Sequence, residues 1–157
     1  MTALGRVRPH VLGERRDVGR FLLGVIGLLA LLSGGFALGV LDVGYTPGWI
    51  GLAIGIAIAG RVVKAGLAPT IGAVWLVALL LHAFPPLVGH LTGDWEMASR
   101  YTYPRRLGYG YTDAYHELIG GIERGATAGL PFAIVVGAGG YGIATVVARY
   151  SRRSTTR

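Results

Sequence analysis

The sequence predicts an all-α integral membrane protein: four transmembrane helices in one bundle, with one extracytoplasmic polar loop carrying a short amphipathic helix. Three observations predict it. The stretch Ala65 to Gly93 contains no Asp, Glu, Lys or Arg, and about 20 apolar residues at ~1.5 Å rise cross a ~30 Å hydrocarbon core. Apolar blocks near 21–41, 47–64 and 126–148 accompany the block at 69–90. The charges then sort by side. With four spans, the side holding both termini carries eleven cations against Glu14 and Asp17, a net +9. The other side carries Arg100, Arg105, Arg106 and Arg124 against six carboxylates, a net −2. Lys and Arg favour the cytoplasmic side, so both termini are expected in the cytoplasm of a multi-pass cell-membrane protein.

Taken in order, residues 1–20 form a basic tail with Arg6, Arg8, Arg15, Arg16 and Arg20, expected to face lipid headgroups. Nucleic acid is the competing partner for such an arm, and the sided charge distribution argues against it. Phe21 to Leu41 is the first span. A signal peptide competes, because a basic segment precedes the apolar one and Ala37-Leu38-Gly39 resembles a cleavage site. The apolar stretch exceeds the usual 7 to 15 residues of a signal core, which favours an uncleaved span. Asp42, Gly44 and Pro47 then mark a short turn.

The second span runs from about 47 to 64, short enough that Arg61 and Lys64 must snorkel. Its Gly51, Gly55 and Ala59 recur every four residues and predict a smooth helix-packing face. Gly35 with Gly39, and Gly125 with Gly129, repeat that spacing in the first and fourth spans. Pro69 opens the third span, and Pro85 with Pro86 predicts a kink or an early end. His82 is the ionisable group well inside this span, read as a hydrogen-bonded helix-packing histidine.

Residues 91–125 form the outer loop. Tyr101-Thr102-Tyr103 and Tyr109-Gly110-Tyr111 alternate around Pro104–Gly108, a candidate hairpin. In 113–123, Tyr115, Leu118, Ile119 and Ile122 fall at i, i+3, i+4 and i+7, the stripe of an amphipathic helix, with Thr112 or Asp113 as cap. That helix either lies on the membrane surface or runs on into the last span. Ala126 to Ala148 is the fourth span, and residues 149–157 close the chain as a second basic tail.

Composition narrows function. The chain of 157 residues is 52% hydrophobic and 15% charged, with 27 glycines and no cysteine. Thiolate catalysis, disulfides and Cys-ligated zinc are therefore excluded. No metalloprotease, nucleophile-elbow or P-loop pattern occurs, and His116-Glu117 lacks the second His of a zinc helix. No catalytic residue and no cofactor is expected. His90, His116 and Glu117 have the right atoms for a metal, without a recognised spacing. The outer loop offers the better surface: Trp95, Arg100, Tyr101, Tyr103, Arg105, Arg106, Tyr109, Tyr111 and Tyr115 combine the residue types favoured at interfaces. The leading expectation is a small non-enzymatic membrane protein that associates with itself or with another membrane protein. An oligomeric channel or transporter subunit is the alternative, and a metal-dependent enzyme at the outer face is a third class.

Overall fold

The structure is a computed structural model, and it describes residues 11–41, 46–93 and 113–154. The described residues contain five helices: α1 (Arg15–Ala37), α2 (Thr46–Val62), α3 (Leu67–Thr92), α4 (Ala114–Thr127) and α5 (Gly129–Ser154). No strand occurs among them. The candidate hairpin at 101–111 lies outside the described residues.

Three helical stretches are long and apolar enough to cross a membrane: Arg15–Ala37, Leu67–Thr92 and the continuous Ala114–Tyr150. Pro47–Val62 is apolar but shorter. The boundaries differ from the apolar blocks in an instructive way. The first helix starts at Arg15, so Arg15, Arg16, Asp17 and Arg20 are helical residues and not an unstructured tail. It stops at Ala37, before the end of its apolar block, where Leu38 N–H reaches back to the Gly34 carbonyl. Pro85 and Pro86 do not end α3, which runs on to Thr92 and closes on left-handed Gly93.

The largest departure concerns the outer loop. The expected fourth span opened at 126, yet α4 and α5 form one nearly unbroken rod. Ala128 alone interrupts the regular pattern, and it stays in the right-handed region with its N–H on the Arg124 carbonyl. Pro131 supplies the cause, since it has no N–H for the Thr127 carbonyl four residues back. Residues 114–125 therefore run on into the helix of the fourth apolar block, the second of the two arrangements expected for them.

α3 is the centre of the bundle. Val74, Val77, Thr70 and Pro86 are its largest fully buried side chains. α4 and α5 lie along one side of it, α2 packs on α3 and α5, and α1 packs on α3 through Phe21, Val25, Leu29 and Phe36. The Phe36 and Phe84 rings meet edge to face at 5.8 Å, fixing the far end of α1. α1 makes no extended contact with α2.

The α2–α3 turn is tight for a stated reason. Lys64 adopts a left-handed conformation (φ 58°), and Ala65 N–H returns to the Gly60 carbonyl at 2.9 Å, which satisfies carbonyls that the helix end leaves open. Gly66 follows at φ 91°, and its carbonyl accepts from Thr70 Oγ1 at 2.6 Å. The chain ahead of α1 crosses this turn at backbone contact, with Gly13 against Ala65.

Candidate functional site

Two surfaces stand out, the α3–α4 pair with its tip and the face of α2 that meets nothing in the bundle. The pair is built from small residues. Along the α4–α5 rod the buried positions include the row Gly121, Gly125, Gly129, Ala133 and Gly137, spaced by four. A row of that spacing drifts by about 40° per step at 3.6 residues per turn. It therefore faces α3 for most of its length and swings toward α2 at its inner end, where Gly140 meets Ala57. Gly121 lies on the backbone of His82, Gly125 on Leu79, Gly129 on Ala78 and Gly137 on Ile71. Trp75 Nε1–H crosses the seam to the Gly125 carbonyl at 2.8 Å. Without a side chain at these points the two backbones come close enough for dispersion and Cα–H contacts to hold the pair.

The prolines of α3 sit in the same seam. Pro86 cannot donate to the His82 carbonyl, and that carbonyl lies against Gly121. The His82 ring, half-buried, donates Nδ1–H to the Ala78 carbonyl at 2.7 Å. One turn outward from Gly121, Glu117 is turned into the pair and only 5% exposed. Among the described residues no buried side-chain polar atom lacks a hydrogen-bond partner.

The seam uses the face of α4 opposite its apolar stripe. Tyr115, Ile119 and Ile122, the apolar stripe of the sequence, are 54%, 43% and 45% exposed, while Ala114, Glu117, Gly121 and Gly125 are buried. In water that would be inside out. In lipid, apolar side chains lose nothing by facing outward, and small residues gain by facing the neighbouring helix.

The small-residue pairs named from sequence fare differently. Gly125 and Gly129 pack on α3. Gly39 lies beyond the end of α1 at φ 77°, so it shares no helical face with Gly35, which meets the side chain of Leu41. Gly51 and Gly55 have nothing within 4 Å of where a Cβ would stand, and Ala59 is likewise exposed. The packing expected on that face is not made within the chain.

At the tip of the α3–α4 pair, Asp113 caps α4. Its carboxylate accepts His116 N–H at 2.8 Å and His116 Nδ1–H at 2.7 Å. These bonds hold the Asp113 carboxyl below its ordinary value, the backbone donor contributing most. A depressed carboxylate stabilises the fold fully above its ordinary 3.8, and that contribution is lost as pH falls below it. Asp113→Ala is expected to lower Tm at neutral pH and to show no deficit against wild type in strong acid. A calorimetric pH series checks this.

His90, Tyr115 and His116 form a row of exposed rings, 6.0 and 5.9 Å apart. Tyr115 thus lies between the two histidine rings, while Glu117 is buried. No group of three or more His, Cys, Asp or Glu side chains that would hold a metal ion occurs among the described residues. Of the expected outer-loop surface, Tyr115 is exposed at the tip. Trp95, Arg100, Tyr101, Tyr103, Arg105, Arg106, Tyr109 and Tyr111 lie outside the described residues. At the opposite end, Arg61 donates to Thr145 Oγ1 at 2.8 Å and covers the Tyr141 ring at 5.9 Å, tying α2 to α5.

Compared with known proteins, the chain matches no protein-family model, no curated protein sequence and no solved structure.

Proposed function

We propose that this is a four-pass membrane protein with both ends in the cytoplasm, and that it works by association at its outer face and not by catalysis. The observation that carries the reading is the α3–α4 hairpin. It is the most extensive helix pair of the bundle, and its tip holds the flanks of the 94–112 segment together through His90 and Tyr115. A stiff stalk that presents an aromatic and Arg-rich segment loses little entropy on binding.

α2 supplies the fourth crossing in this reading. Its 17 residues rise about 25 Å, at the lower limit for a span. Ala53 and Ala57 are fully buried, so one face of α2 is packed into the bundle at the middle of the helix. Arg61 reaches the surface along Tyr141 and Thr145. The sided arginines support the orientation.

The seams between helices favour association over a channel. Thr70 and Glu117 are the buried polar residues among those described, and the other buried side chains are apolar. The test is native mass in mild detergent. Wild type is expected as a defined oligomer or a stoichiometric complex, and the double variant Tyr103→Ser, Arg105→Glu as a monomer. A monomeric, partner-free wild type overturns the reading.

A further inference from the structure

The second surface has a different occupant. Between α1 and α2 runs an open apolar groove of about 590 Å³. Gly24 and Leu28 of α1 and Gly51, Gly55 and Ala59 of α2 line it, and Arg20 is the charged side chain on its wall. It exists because α1 packs on α3 without closing on α2, and because the three glycines carry no side chain to fill the space.

We propose that this groove holds one acyl chain of an acidic phospholipid, with the lipid phosphate on Arg20. Three observations point there. The first is length. From Gly51 to Val63 the α2 wall measures about 18 Å at 1.5 Å per residue. That matches one leaflet, half of a ~30 Å hydrocarbon core, whereas a partner's transmembrane helix would need a groove along the whole crossing. The second is charge. Arg20 stands at the α1 end that lies beside Ala59 and Val63, so the cation meets the groove at the basic end of the bundle. A guanidinium pairs with phosphate through a planar fork of N–H donors. Arg61, by contrast, is already committed to Thr145 and Tyr141. The third is chemistry. The wall away from Arg20 is aliphatic and glycine, which suits hydrocarbon and offers no polar group to a soluble ligand. The orientation proposed above places this end in the anionic cytoplasmic leaflet.

The inference rests on the membrane reading, and one experiment separates the two. The protein is purified in mild detergent and titrated with phosphatidylglycerol or phosphatidylcholine of identical acyl chains, and bound lipid is counted by native mass spectrometry. Wild type is expected to retain one phosphatidylglycerol per chain, preferred over phosphatidylcholine by about fivefold. Gly55→Leu fills the groove, and the open space at Gly55 leaves room for the new side chain without disturbing the fold. It is expected to abolish retention. Arg20→Gln is expected to erase the headgroup preference. Gly72→Leu, at a glycine with equally open surroundings outside the groove, is expected to change neither. Equal retention of the two lipids by wild type overturns the proposal, as does lipid retained by Gly55→Leu. A dimer dissolved by Gly55→Leu with lipid occupancy unchanged assigns the groove to a second copy and also overturns it. A chain that stays dissolved without detergent refutes the membrane reading itself.

Discussion

Gly121→Ala is expected to cost the α3–α4 pair about 1–3 kcal/mol, because the new methyl group meets rigid backbone. An added Cβ would collide with the His82 carbonyl oxygen and stand 3.0 Å from its carbon. Neither atom can rotate aside, as a side chain would. The comparison variant is Gly55→Ala. Nothing lies within 4 Å of its Cβ position, and alanine is the better helix former by about 1 kcal/mol. Unfolding in detergent, followed by circular dichroism against added SDS, is expected to show a large loss for Gly121→Ala and no loss for Gly55→Ala. Equal stabilities would mean that α4 does not lie on α3 as described.

Gly66→Ala carries the second large effect, expected at about 2–4 kcal/mol from two independent sources. At φ 91° the residue occupies a region that side-chain-bearing residues avoid. An added Cβ would also run into Gly13 N and stand 2.7 Å from the Leu12 carbonyl carbon. Relief requires either the turn or the segment ahead of α1 to move. The thermal midpoint is expected to fall well below that of Gly72→Ala, whose methyl group meets nothing. Cleavage after Arg15 or Arg16 by trypsin is expected to quicken as that segment lifts. An unchanged midpoint would contradict the backbone crossing of Gly13 over Ala65–Gly66.

These two sites show what the sequence could and could not reveal. The apolar blocks and their breakers set the helices closely, since hydrocarbon tolerates few alternatives to a long uncharged helix. The facing of α4 was not legible from its apolar period. The stripe Tyr115–Ile122 marks a face correctly, but periodicity does not say whether that face meets protein or lipid. The stronger signal was the row Gly121, Gly125, Gly129, Ala133, Gly137. A span boundary placed at 126 cuts it in two and leaves only Gly125 with Gly129 visible. Gly51, Gly55 and Ala59 have the same spacing and a different fate, because spacing describes one smooth surface and says nothing of what lies opposite. The contact that gives Gly121 its importance is with the His82 carbonyl, on another helix, and only the fold brings the two together.

The central claim is that the chain crosses the bilayer with its arginine-rich ends on one side and residues 94–112 on the other. The absence of cysteine makes it directly measurable: Thr2→Cys, Thr102→Cys and Ser154→Cys each introduce a single thiol. With a membrane-impermeant maleimide on intact cells, Thr102→Cys is expected to label, and Thr2→Cys and Ser154→Cys only after permeabilisation. Labelling of either terminal cysteine in intact cells, or protection of Thr102→Cys, would contradict the account.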